Sequence, residues 1–411
     1  MRFLDISAKK NRYNSLIYVI VLLACLVPRY ISTLKIHLGL NISFFTIAVV
    51  AVAAITLRQI KIIKNIEFSF FWIWFAFIAV SVWRTEKIGV WGYYVDWVLT
   101  AVLLQQIIYR FGDENTYENI VRALTDALFL HLLMGIYEIT THRYLFETGN
   151  ISRRLYGHVA IGMFYNLNDY ATFVTTMLPF AIYRFRTTQK KIEKVYCAFL
   201  TMCSLYLIAI SESRGAILTL MVFICGSIYV FATRSTKNKL ITGAGLAAFI
   251  AAFVVNVGGV RASLVHVLDR NTIDLTGGTD IARLNLIKNG LYFLKQTHGF
   301  GVGAGNLYNW LAERSIYHIG DLLFIHNWYV EILVTFGVVF FILYVIFHGK
   351  ILYKLYSQKY RTSSLKTTFF LSFVCFSIVS ISSSSNVYSE WVWMYLVTVS
   401  LYTLSLRKMA E

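Results

Sequence analysis

The stretch His326-Asn327-Trp328-Tyr329-Val330-Glu331 sets an imidazole at the start of a long apolar run and a carboxylate one turn inside it. The positive end of a helix dipole keeps an imidazole neutral, which equips His326 to accept a proton. Asn327 and Glu331 are four residues apart and share a helix face. An ionisable side chain such as Glu331 is costly within an apolar zone and faces a partner or a cavity there. Arg214 opens another apolar run, after the short turn Glu212-Ser213. The dipole disfavours a cation at that position, so an arginine placed there is explained by an anion. Arg283 borders an amphipathic stretch, Ile281 to Thr297, in which Leu284, Ile287, Leu291 and Leu294 share a face. Each residue also has a structural reading: an interfacial histidine, an arginine snorkelling or paired with Glu212, and a solvated Arg283.

A neutral base together with arginines, and no metal, suits displacement of a pre-activated anionic leaving group. A lipid diphosphate is such a group, because it departs without a proton and arginine stabilises its developing charge. The base then serves the attacking hydroxyl. The chain has no P-loop, no D-x-D metal signature and no H-E-x-x-H. The run Gly299-Phe300-Gly301-Val302-Gly303-Ala304-Gly305 loosely mimics a dinucleotide fingerprint but follows no strand, so it reads as a close-approach loop. No cofactor and no metal are expected.

These residues must be positioned by membrane helices. Hydrophobic residues make up 57% of the 411 and charged residues 14%, too few charges for an ordinary water-facing surface. Apolar runs long enough to cross a bilayer recur throughout, without the alternation of barrel strands. The expected fold is all-α and polytopic, with about twelve transmembrane helices. They fall at roughly 14–30, 38–57, 67–83, 88–109, 118–140, 168–185, 193–211, 214–233, 239–256, 326–347, 365–383 and 388–406. Residues 1–256 then carry helices one to nine, 257–325 a long outer loop with short helices, and 326–411 helices ten to twelve.

The net charge of +17 would suggest nucleic acid in a soluble protein, but most of the bases flank the spans. With twelve spans, the clusters at Arg2 to Arg12, Arg58 to Lys64, Arg184 to Lys194, Arg234 to Lys239, Lys350 to Lys366 and Arg407-Lys408 share one side. The positive-inside rule makes that side cytoplasmic, with both termini in it, against Lys35, Arg84 and Lys87, which fall in short turns on the opposite side. Arg143, Arg153, Arg154, Arg214, Arg261, Arg270, Arg283 and Arg314 fall on or beside the outer face, where an anionic ligand gives them a reason. The amphipathic stretch 281–297 is expected to lie along the membrane surface. The five cysteines sit singly in apolar runs, so neither a disulfide framework nor a zinc site is indicated. The basic N-terminus leads into an uncleaved first span.

Four stretches resemble the bacterial O-antigen ligase and polysaccharide polymerase family: Tyr165-Asn166-Leu167-Asn168-Asp169, Ser213-Arg214-Gly215-Ala216, Ala282-Arg283-Leu284 with Gly299 to Asn306, and His326 to Glu331 followed by Gly337. The resemblance covers about residues 130 to 350 and is most specific at His326-Asn327. It implies a metal-independent, inverting glycosyltransferase of the bacterial cytoplasmic membrane, working on its outer face with undecaprenyl-diphosphate-linked glycans. In that family's terms His326 activates the acceptor hydroxyl, and Arg214 and Arg283 hold the diphosphate. Arg153, Arg154, Asn327, Tyr329 and Glu331 are the expected substrate-binding residues. Partners would be the lipid-linked glycan donor, a glycan acceptor, a chain-length regulator and a flippase, with no nucleic acid.

Polymerisation of lipid-linked repeat units comes first among the expected activities. Transfer of a finished glycan to lipid A-core or another terminal acceptor comes second. A lipid-linked oligosaccharide transporter is the third reading; it would predict inverted repeats and mid-membrane ionisable groups, for which Asp96, Asp126 and His131 are the candidates.

Overall fold

The computed structural model describes residues 2–26, 33–35, 41–56, 65–86, 88–111, 114–146, 159–164, 166–211, 213–232, 279–320, 322–359, 363–383 and 389–408. Thirteen α-helices account for most of them: α1 (Arg2–Leu26), α2 (Phe44–Thr56), α3 (Ile66–Val80), α4 (Ile88–Phe111), α5 (Glu114–Thr141), α6 (Leu167–Thr187), α7 (Lys191–Ile210), α8 (Arg214–Ala232), α9 (Thr279–Gln296), α10 (Leu307–Arg314), α11 (Trp328–Tyr356), α12 (Ser364–Val379) and α13 (Glu390–Lys408). A small antiparallel hairpin, β1 (Thr33–Lys35) with β2 (Asn41–Ser43), precedes α2. Ten of the twelve expected spans overlap single helices; the ninth, 239–256, lies outside the described residues, and 326–347 meets a helix that breaks within it. Ile66–Trp83, Asn115–Thr141, Lys191–Ile210 and Trp328–Tyr356 are long and apolar enough to cross a membrane by length and composition. The chain is an all-α membrane protein.

The bundle is held by aromatic packing and by polar links that also mark its two ends. Phe70 stacks on Phe347 at 4.2 Å, and Trp74 meets Phe340 and Trp393, which fixes α3 against α11 and α13. At one end Lys354 on α11 pairs with the buried Glu67 on α3 at 2.6 Å, and Lys366 on α12 donates to the Ser357 carbonyl. Arg184 on α6 joins Asp126 of α5 and Glu193 of α7 at this same end. At the other end α12 gives way to the turn Ser380–Ser383, the Trp328 amide donates to the Ser380 carbonyl, and Gly215 of α8 packs against Ser382. A Cβ at Gly215 would overlap the Ser382 side chain, so glycine lets α8 and the serine turn touch.

The expected continuous span at 326–347 is instead broken. Gly337, at φ 86° and ψ 175°, interrupts α11, a conformation that glycine adopts without a steric cost. Trp328 Nε1 donates to the Tyr344 hydroxyl at 2.7 Å across the break. On a straight helix those two residues would stand about 24 Å apart along the axis, so the piece Trp328–Phe336 folds back across the piece that begins at Val338. The carbonyls freed at the break find donors in the glycine loop. Val302 and Gly303 donate to the Val334 and Thr335 carbonyls at 2.9 and 3.0 Å, and the Val338 amide donates to the Gly299 carbonyl at 2.9 Å. The loop thus supplies the bonds that the helix gives up.

Within the region expected as the long outer loop, α9 and α10 form a small core of their own around Leu286, Phe293, Val302, Leu307, Leu311 and Ile325. The buried face of α9 carries Leu286, Asn289, Gly290 and Phe293. It differs from the expected stripe, of which Leu291 is exposed and Leu284, Ile287 and Leu294 are half-buried. Polar anchoring decides the choice: Asn289 accepts from the Ile316 and Tyr317 amides and donates to the Tyr317 carbonyl. The domain is latched to the α3–α4 turn. There Arg314 pairs with Glu86 at 2.9 Å, Trp310 Nε1 donates to Glu86 at 3.1 Å, and Asn306 accepts from the Glu86 amide.

Candidate active site

His326 sits at the apex of a three-residue turn closed by the Asn327 amide on the Ile325 carbonyl at 2.7 Å. It lies just ahead of α11 and therefore at the head of the folded-back piece. Asn327 is the N-cap: its side-chain oxygen accepts from the Tyr329 and Val330 amides, both at 3.1 Å. That cap starts the helix one residue beyond the imidazole and leaves His326 out of the helical turn. The imidazole is half-buried, and its Nδ1 is enclosed with no hydrogen-bond partner among the described residues. Burial, and then the positive charge of Arg283, hold its pKa down at about 4. The sequence attributes neutrality to a helix dipole; in the structure the causes are desolvation and a neighbouring guanidinium.

Arg283 reaches this neighbourhood through α9. Gly290 lies seven residues further along, on the same face, and a Cβ there would come within 2.9 Å of Ile325 and of Val334. The close contact seats α9 against the folded-back piece, and Arg283 acts electrostatically on His326. Arg214 is the first residue of α8 and is exposed. The serine turn is its link to the histidine: Ser382 packs on Gly215, next to Arg214, while Ser380 binds Trp328, two residues past His326. The three residues expected to do chemistry are therefore gathered at one end of the bundle by α8, α9, α11 and the turn after α12.

The expected substrate-binding residues divide. Arg153 and Arg154 lie outside the described residues. Asn327 spends its side-chain oxygen on the helix cap. Tyr329 turns toward α12, its hydroxyl donating to the Ser377 carbonyl at 2.8 Å. Glu331 is buried, 2% exposed, one turn into the folded-back piece. Beyond that set, Trp310 carries the Arg314 guanidinium over its ring at 4.2 Å, and the Tyr317 ring faces Lys288 at 5.5 Å. Among the described residues no group of three or more His, Cys, Asp or Glu could hold a metal ion.

Sequence reasoning missed the serine turn Ser380–Ser383 and Glu86. The signal for the first was present as a run of serines closing a span, a composition that makes turns. Of the residues that a transporter would use, Asp126 is tied to Arg184, Tyr18 and Tyr196. His131 bonds the Cys25 carbonyl at 2.8 Å and stacks on Phe164.

The chain is similar to known proteins over this region. The family model described as O-antigen ligase matches residues 199–345, a range that holds Arg214, Arg283, the glycine loop, His326 and Gly337. The chain is also 28% identical, over 426 residues, to a teichuronic acid biosynthesis protein of Bacillus subtilis, covering 97% of this chain and 86% of that protein. Together the two matches support the O-antigen ligase and polysaccharide polymerase family for this chain, and with it a membrane enzyme of polysaccharide biosynthesis.

Proposed function

We propose that the protein polymerises glycan repeat units carried on undecaprenyl diphosphate, at the outer face of the bacterial cytoplasmic membrane. The observation that carries the reading is a half-buried His326, kept neutral beside the Arg283 guanidinium. An imidazole whose conjugate acid gives up its proton this readily stays unprotonated at neutral pH, and the nearby arginine has an anion to serve.

In the reaction, an acceptor hydroxyl attacks the anomeric carbon of the donor. The new carbon–oxygen bond forms as the bond to the lipid diphosphate breaks, and the diphosphate leaves with the electron pair. The hydroxyl proton passes to the His326 imidazole, while Arg283 and Arg214 stabilise the charge on the leaving oxygens. Attack opposite the leaving group inverts the anomeric centre. Arg153, Arg154 and Glu331 are assigned to substrate contact, Asn327 to capping beside it, and Tyr329, expected at the substrate, to holding α11 against α12. The basic clusters support an orientation with both termini in the cytoplasm. The half-buried stripe of α9 supports its lying against the membrane surface. Assembly alongside a flippase and a chain-length regulator belongs to the same reading.

Polymerisation is placed ahead of ligation, although the two share the same donor chemistry. Membranes holding the protein, supplied with lipid-linked repeat units alone, test the order. A ladder of products without any terminal acceptor is the expected result, and product formed only when core lipid is added reverses it. A His326→Ala variant that assembles polysaccharide normally would remove the enzyme reading and bring the transporter forward.

A further inference from the structure

Behind His326 lies a buried row of polar side chains that the transfer chemistry does not use. Trp328 Nε1 donates to the Tyr344 hydroxyl at 2.7 Å, the Tyr344 hydroxyl meets His348 Nδ1 at 3.2 Å, and His348 Nε2 meets the Ser377 hydroxyl at 2.8 Å. Ser377 donates in turn to the Phe373 carbonyl at 2.6 Å, and Tyr329 donates to the Ser377 carbonyl. Only one proton arrangement lets every donor find an acceptor. Ser377 has spent its hydrogen on Phe373, so His348 Nε2 must donate; Nδ1 then accepts from Tyr344, whose oxygen accepts from Trp328. The row is a fully satisfied, one-directional network in an apolar interior, the kind that fixes a single geometry.

Its position gives it a task. Trp328 and Tyr329 belong to the folded-back piece of α11, Tyr344 and His348 to the piece beyond the break at Gly337, and Ser377 to α12. The row therefore spans the bend on the side-chain side, where the glycine loop holds only the backbone. Trp328 is fully buried and its backbone amide is held by Ser380, two residues from the imidazole. We propose that Trp328, Tyr344, His348 and Ser377 form a brace across the break in α11 that holds His326 in register with Arg283, so that His348 and Tyr344 are positioning residues for the transfer step. The proposal rests on the reading of His326 as the base.

The test uses the full chain in lipid nanodiscs and the variants Tyr344→Phe, His348→Phe and His348→Gln. Tyr344→Phe removes one oxygen and keeps the ring packing on Phe70, so it folds where a larger change does not. Two quantities are read: kcat and KM with lipid-diphosphate-linked repeat units, and the pH midpoint for modification of His326 by diethyl pyrocarbonate, located by peptide mass spectrometry. Misplacement of a catalytic group by about 1 Å costs as much as a hundredfold in rate, so Tyr344→Phe and His348→Phe should lose roughly tenfold or more in kcat with little change in KM. In both, the His326 midpoint should rise toward the ordinary histidine range, because the imidazole is no longer held in its buried place. His348→Gln should restore both quantities, since its amide oxygen can accept from Tyr344 and its amide nitrogen can donate to Ser377. Unchanged kcat and midpoint in the two phenylalanine variants overturn the proposal, and so does a glutamine variant as impaired as the phenylalanine one. A midpoint that moves while the wild-type protein makes no product from the lipid-linked donor keeps the brace and removes the assigned reaction.

Discussion

Gly301 and Gly337 lie in backbone contact: a Cβ on Gly301 would stand 2.6 Å from the Gly337 amide nitrogen, and one on Gly337 would stand 2.5 Å from the Gly299 carbonyl oxygen. Both have positive φ, 77° and 86°. The pair joins the glycine loop to the break in α11, so the loop and the fold-back that carries His326 form one construction.

Alanine at either position meets backbone, which cannot move aside, and occupies a strained region. Gly301→Ala and Gly337→Ala should each cost about 1–3 kcal/mol or more. Thermal unfolding of the detergent-solubilised protein reads this as a lowered midpoint. Gly349→Ala is the control, because a Cβ there has nothing within 4 Å; in the helix it should be neutral or stabilising by up to about 1 kcal/mol.

The pH dependence follows from His326. With its pKa lowered to about 4 by burial and then by Arg283, the base is neutral throughout the physiological range. Activity should hold level down to about pH 5 and fall only as the imidazole protonates near 4. Arg283→Gln removes a positive neighbour and should shift the acid limb to higher pH, besides lowering the rate. For stability the sign is that of a depressed histidine. Between the ordinary value near 6.5 and about 4 the unfolded chain binds the proton first, so stability falls as pH falls through that window.

Arg214→Lys keeps the charge but loses the fork that binds two phosphate oxygens together. A loss of roughly tenfold in kcat/KM, about 1.4 kcal/mol, is expected at wild-type protein levels, because the residue is exposed at the start of α8. Steady-state kinetics with the lipid-linked donor measures it, and full activity would count against the diphosphate role.

Asn327 can be tested as a cap. Asn327→Ala should lower stability by about 1 kcal/mol, and Asn327→Ser, which retains a capping oxygen, should restore most of it. Recovery in the serine variant of both folding and turnover would mark the side chain as a helix starter; recovery of folding alone would point to substrate contact.

Glu67 and Lys354 make a buried pair at 2.6 Å, with side chains 2% and 11% exposed. Glu67→Ala strands the lysine and should cost about 3–5 kcal/mol, whereas the double change Glu67→Leu with Lys354→Leu should recover most of that. Unfolding midpoints of the single and double variants decide it.

The membrane class and the helical fold were legible in the sequence because they depend on local quantities. Twenty apolar residues must form a helix in lipid whatever lies beside them, and bases mark the ends of spans without reference to packing. The residue types at the site were legible for a related reason: His326, Arg214 and Arg283 are chemically conspicuous where they stand, and the glycines at 299–305 announced a close approach. What approached was not written there. The hydropathy of residues 326–347 is continuous, and only the meeting of Gly337 with a loop more than thirty residues earlier turns that run into a folded-back piece. The buried face of α9 was also undetermined, since it carries two apolar stripes and the hydrogen bonds of Asn289 to residues 316 and 317 choose between them. His326 is neutral as the sequence suggests, but for a reason that belongs to the fold: enclosure by the bundle and the charge of an arginine brought in on another helix. Local chemistry determined which residues were able to act, and long-range packing decided which of them stand together.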